Sequence, residues 1–92
     1  MAQQYPEWIW QNGAIKPWKD ATAHVMSHAL HYGSSVFEGI RSYATPEGAA
    51  IFRLTDHLKR LYLSAKIYDM VLPYSQDELA NACREIIRKN GY

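Results

Sequence analysis

Two short apolar-rich runs near the start of the chain, Trp8-Ile9-Trp10 and Ala14-Ile15-Lys16, flank the dipeptide Asn12-Gly13. Asn and Gly tolerate the positive φ angles of a tight two-residue turn, so this pattern predicts a β-hairpin. Pro17 ends the second strand because it has no N–H to give to a ladder. From about Thr22 to Phe37 no period is sustained, which predicts loop and short helical turns with Gly33 as a break. Ile40 to Ala44 and Ala49 to Arg53 read as a second strand pair. Between them Pro46-Glu47-Gly48 supplies turn chemistry, with proline presetting φ and glycine closing the turn.

The pattern then changes to a helical period. One helix is predicted from about Thr55 to Met70, and Pro73 separates it from a second. At about 100° per residue, Leu54, Leu58, Leu61, Ala65, Tyr68 and Leu72 share one face. Leu63, Ile67 and Met70 form a second apolar strip, while Lys59, Tyr62, Lys66 and Asp69 form a solvent face. Two apolar sides predict a helix lying between other layers. Arg60 falls on the second strip, where a guanidinium is costly unless it meets an anion. In the second helix Ser75 and Glu78 have the spacing of a capping box, with Tyr74 and Leu79 at staple positions. Leu79, Ala82, Cys83 and Ile86 make an apolar stripe, and Gly91 is placed for a left-handed helix end. The order of hairpin, turns, hairpin, helix, helix predicts an α+β fold: a small antiparallel sheet built from hairpins, packed against two C-terminal helices.

Composition narrows the function classes. Ninety-two residues allow one domain, and 48% apolar with 21% charged residues is ordinary for a globular one. The net charge of +1 arises from interleaved acids and bases, which gives no electrostatic case for nucleic acid or an anionic membrane. The single cysteine, Cys83, rules out an internal disulfide. With no signal-peptide pattern and no membrane-length apolar run, the expected location is the cytoplasm.

The candidate chemistry lies between His28 and Tyr43. This stretch combines Tyr32, Phe37 and Tyr43 with Gly33, Gly39, two histidines, Glu38 and Arg41. It is too polar for plain core and too apolar for a solvated loop, so it reads as pocket wall. Gly33 and Gly39 permit close backbone approach by a ligand. Tyr32 and Phe37 are otherwise ordinary core aromatics. For Glu38 and Arg41 the simplest account is an ion pair fixing the strand start. His24, His28 and His31, spaced i, i+4, i+7, raise a metal site; broken turns and the lack of a nearby cysteine favour a structural role, with ring nitrogens on backbone carbonyls. For Arg60, geometry alone favours an internal ion pair or a side chain reaching water, with a phosphate ligand as the sharper alternative.

The run from His28 to Tyr43 closely resembles the H-x-L-H-Y-G-x-x-V-F-E-G-I-R-x-Y signature of branched-chain amino-acid aminotransferases, pyridoxal-phosphate enzymes of the class IV aminotransferase fold. The likeness extends from the Trp8-Ile9-Trp10-x-Asn12-Gly13 hairpin through Ala65-Lys66-Ile67-Tyr68 to Arg84-x-Ile86-Ile87-Arg88-Lys89-Asn90. It implies that residues 1–92 are the amino-terminal small domain of such an enzyme, about its first third. The parent reaction would move an amino group between leucine, isoleucine or valine and 2-oxoglutarate. In the context His57-Leu58-Lys59-Arg60-Leu61 the resemblance makes Arg60 the contact to the cofactor phosphate. It also places Phe37 and Gly39 in the substrate pocket of their own subunit, and Tyr32 in the pocket of a neighbour in a homodimer or larger assembly.

Pyridoxal chemistry needs a lysine that joins the cofactor and later shuttles a proton. Lys16, Lys19, Lys59, Lys66 and Lys89 are expected in turns or on charged faces, and none matches the family's catalytic lysine. No catalytic residue is therefore assigned within the chain. The expectation is a catalytic-lysine domain lying outside these residues, with the segment inactive by itself. Two other readings stand beside it: a free-standing binding or assembly module, and a small histidine-based metal protein.

Overall fold

A computed structural model of the chain describes residues 5–27, 33 and 35–92. The first hairpin pairs β1 (Trp8–Gln11) with β2 (Ala14–Pro17) in antiparallel register, Trp8 opposite Pro17 and Gln11 opposite Ala14. Its turn residues, Asn12 and Gly13, both have positive φ, 52° and 90°, as that dipeptide predicts. A short 3-10 turn over Trp18–Asp20 follows, which the sequence pattern did not announce. The second hairpin pairs β3 (Ser42–Thr45) with β4 (Gly48–Ile51). Ile40 and Arg41 precede β3 rather than opening it, although the Phe52 amide still donates to the Arg41 carbonyl at 2.8 Å. The α+β class holds, with the hairpins forming two separate two-stranded sheets.

Two helices complete the chain, α1 (Leu54–Ile67) and α2 (Gln76–Lys89). The capping box of α2 is present: the Glu78 amide donates to Ser75 Oγ and the Ser75 amide to Glu78 Oε1, each at 3.1 Å. At its far end Gly91 is left-handed, and the Gly91 and Tyr92 amides return to the Arg88 and Ile87 carbonyls. The expected end at Met70 is replaced by an earlier stop in α1. Asp69 adopts φ 55°, its amide donates to Lys66 and that of Met70 to Ala65, so a left-handed turn consumes the last carbonyls.

Helix α2 is the hub, touching α1, β1 and β4. The buried side chains among the described residues are Leu54, Leu58 and Ala65 of α1 and Ala82 of α2. Three of the six positions on the predicted α1 face are therefore core, whereas Tyr68 is exposed, beyond the helix end. Most of the second strip is not covered: Leu63 and Ile67 face outward, while Met70 is half-buried. Tyr62, expected in solvent, is half-buried, and its hydroxyl donates to the Tyr74 carbonyl where the chain turns back between the helices. The chain exposes 7564 Å², against about 5,500 Å² for a compact monomer of this mass. No helix among the described residues is long and apolar enough to cross a membrane.

Candidate functional site

Residues 35–41 carry no regular secondary structure, but their exposure alternates as along a strand: Val36, Glu38 and Ile40 are partly buried while Phe37, Gly39 and Arg41 face outward. The alternation turns the Glu38 carboxylate inward onto α1. There His57 and Arg60, spaced i, i+3, share one face of the helix. Arg60 Nε donates to Glu38 Oε2 at 3.0 Å and Oε1 at 3.1 Å, and Arg60 Nη2 donates to Oε1 at 2.8 Å. His57 Nδ1 lies 2.7 Å from the same Oε1. An ionised carboxylate only accepts, so Nδ1 carries the hydrogen of that bond. The Arg60 guanidinium, and after it His57, hold the Glu38 carboxyl down at about 2. Glu38 in turn pushes the Arg60 guanidinium up.

The two partners differ in exposure, 10% for the Glu38 side chain and 66% for that of Arg60. A guanidinium has five N–H donors in a planar fork. Glu38 occupies the Nε–Nη2 edge, and among the described residues Nη1 makes no hydrogen bond. A cation held along one edge and open at the other is suited to an oxyanion. Beside it lies a cavity of about 230 Å³ lined by Phe52, Arg53, Asp56, His57 and Arg60. Arg53 stands in the left-handed region at φ 52°, just before α1, and pairs with Asp56 at 3.0 Å. A larger cavity, about 610 Å³ between β4 and α2, is lined by none of the residues predicted for the site.

The internal ion pair read from geometry for Arg60 is present, and among the described residues the same guanidinium keeps donors that no other group takes. Phe37 is 86% exposed. A side chain added at Gly39 meets nothing within 4 Å. Tyr32, His28 and His31 lie outside the described residues. The expected pairing of Glu38 with Arg41 is replaced by the pairing with α1, because the alternation along 35–41 puts the acid and Arg41 on opposite faces. Among the described residues His24 bonds no carbonyl; its Nδ1 accepts the Met26 amide at 3.0 Å. Lys89 lies over the Trp8 ring at 4.5 Å from its centre, and Lys16 is half-buried in β2 rather than in a turn. His57 was not foreseen as a site residue. Its signal was the i, i+3 spacing from Arg60, on a helix whose polar face needs an acid partner.

Residues 35–92 match the amino-transferase class IV family, and the chain belongs to it. Among curated relatives, it is 53% identical over 91 residues to the branched-chain-amino-acid aminotransferase of Escherichia coli (strain K12), covering 99% of this chain and 29% of that one. The Pseudomonas aeruginosa enzyme of the same name is 54% identical over 83 residues, covering 90% of this chain and 27% of its own. Among solved structures, the E. coli branched-chain amino acid aminotransferase superposes with a TM-score of 0.89 at 55% identity, covering 94% of this chain and 28% of that structure. The Thermoproteus uzoniensis enzyme, solved with norvaline, gives 0.89 at 41% identity, covering 96% and 30%. The chain thus spans under a third of the length of the curated relatives it matches.

Proposed function

We propose that this chain supplies the phosphate anchor and one wall of the substrate pocket of a branched-chain aminotransferase, a cytoplasmic enzyme that uses pyridoxal phosphate to move the amino group of leucine, isoleucine or valine to 2-oxoglutarate. The observation that carries the reading is the Arg60 guanidinium, fixed by Glu38 on one edge and open on the other beside a small cavity. The lining fits a phosphate group: Arg60 borders that cavity with donors that Glu38 does not use, and Asp56, the acid of the lining, is already paired to Arg53.

Pyridoxal phosphate, when bound, supplies the electron sink for charge developing at the substrate α-carbon. The chain's own residues bind and orient. Arg60 would hold the phosphate group. Phe37 offers an apolar wall suited to a branched aliphatic side chain, and Gly39 lets substrate lie against main chain. Tyr32 serves the pocket of a second subunit in a homodimer or larger assembly. No lysine lines the cavity beside Arg60, and this reading assigns the proton-transferring lysine to a part of the enzyme outside these residues.

The test is a hybrid in which this chain replaces the matching stretch of the E. coli enzyme. The expected result is amino transfer from leucine, isoleucine and valine to 2-oxoglutarate by the hybrid, and none by the 92-residue chain alone. A folded hybrid without that activity overturns the reading. The bare strip at Leu63 and Ile67 supports a second reading, an assembly module that docks on intact subunits. Co-elution of the chain with the complete enzyme supports that alternative, and separate elution removes it.

A further inference from the structure

Arginine at an exposed helix position samples many rotamers, and ordering it is a cost that ligand binding has to meet. Here that ordering is already in place. Three of the four short contacts to Glu38 come from Arg60, and the fourth comes from His57, one turn earlier on the same helix. His57 is itself largely enclosed, 17% exposed, so it holds Glu38 Oε1 from the protein side while Arg60 approaches from the solvent side. The carboxylate is gripped on two sides and cannot turn without losing one of them. Glu38 arrives from a segment 22 residues away in sequence, so the arrangement is tertiary, not a local helix-surface pair.

We infer that Glu38 and His57 are positioning residues for Arg60: Glu38 clamps its Nε–Nη2 edge, His57 locks the carboxylate, and the Nη1 side is thereby presented to the cofactor phosphate. The inference rests on the reading of Arg60 as a phosphate anchor. Neither Glu38 nor His57 need touch the cofactor. Two effects of Glu38 oppose each other at this site. Its negative charge disfavours a nearby phosphate, while its clamp removes the cost of orienting the guanidinium. The clamp dominates if the geometry exists for binding, so loss of Glu38 weakens phosphate affinity even though it removes a repulsive charge.

The experiment uses the hybrid enzyme and measures dissociation constants for pyridoxal phosphate and for pyridoxal, which lacks the phosphate. Glu38→Gln is expected to weaken pyridoxal phosphate about tenfold, the scale of one lost charge-assisted hydrogen bond, and to leave pyridoxal unchanged. His57→Leu is expected to weaken it in the same selective way. His57→Asn, which keeps a donor near the Nδ1 position, restores most of the loss. In an Arg60→Ala background, Glu38→Gln causes no further weakening, because there is no guanidinium left to orient and only the repulsive charge is removed. Tighter or unchanged pyridoxal phosphate binding in Glu38→Gln, with Arg60→Ala still weakened, overturns the positioning role alone. Unchanged binding in Arg60→Ala overturns the anchor reading beneath it. If Glu38→Gln does not fold, the His57 pair decides: equal affinities for His57→Leu and His57→Asn contradict the inference.

Discussion

The Asn90 side chain forms a closed two-bond pair with the main chain of Trp8: Asn90 Oδ1 accepts the Trp8 amide at 3.0 Å and Asn90 Nδ2 donates to the Trp8 carbonyl at 2.9 Å. An amide side chain at the end of α2 thereby stands in for a strand neighbour of β1. The same Nδ2 also caps the Ile86 carbonyl at 3.0 Å. The neighbouring Lys89 ammonium over the Trp8 ring strengthens the junction. The contact ties the two ends of the chain together across 82 residues.

Replacing Asn90 with alanine strands both main-chain groups of Trp8 in a partly buried place, at a cost of about 1–3 kcal/mol. Asn90→Asp keeps the acceptor but removes the donor, so it should fall between alanine and wild type. Urea unfolding of the 92-residue chain gives the comparison. Equal midpoints for wild type and Asn90→Ala would show that the pair contributes nothing.

The left-handed residue that ends α1 is an aspartate, where glycine carries no Cβ penalty. Asp69→Gly should therefore stabilise the chain, by up to about 1 kcal/mol, despite the added freedom of the unfolded state. A thermal midpoint that falls would mean the aspartate side chain contributes more than its backbone strain costs.

Glu38 makes stability depend on acid in a defined window. Its carboxyl sits at about 2 in the fold against 4.5 for the free group, held there first by Arg60 and then by His57. Below its ordinary value the unfolded chain takes up a proton that the folded chain refuses. The contribution is thus complete above about 4.5 and is lost as pH falls toward 2. In Glu38→Gln the loss over that interval should be shallower than in wild type. Identical slopes of unfolding midpoint against pH would contradict the pairing.

Phe37 separates function from stability. At 86% exposure its removal should change folding by no more than about 0.5 kcal/mol. In the hybrid enzyme Phe37→Ala should raise KM for leucine about tenfold, the scale expected for losing one apolar contact surface, with a smaller change for glutamate. A loss of thermal stability without that selectivity would assign Phe37 to packing.

Much of the local structure was legible because its causes are local. Asn12-Gly13, Pro46 with Gly48, Ser75 with Glu78, and Gly91 each act over a few neighbouring residues, and each formed the turn or cap its chemistry requires. The errors came from relations that local pattern does not carry. Asp69 takes a left-handed conformation that its residue type does not strongly signal, so the far end of α1 was misplaced. The two-sided apolar pattern of α1 implied a cover for Leu63 and Ile67 that no other described element provides. At the site, Arg60 was singled out by its place on an apolar strip; that strip is open to solvent, so the ion pair is present without the burial that was expected to demand it. The identity of its acid was not legible, since Glu38 lies 22 residues away and turns inward through the alternating exposure of a segment that belongs to no described strand.

The orientation of one guanidinium decides whether this chain anchors the cofactor, and a crystal structure of the hybrid enzyme with pyridoxal phosphate measures it directly. The expected arrangement is an Nη atom of Arg60 about 2.7–2.9 Å from a phosphate oxygen, with Glu38 still on the Nε–Nη2 edge and His57 behind it. A phosphate bound elsewhere, with Arg60 turned away from it, would contradict the anchor role.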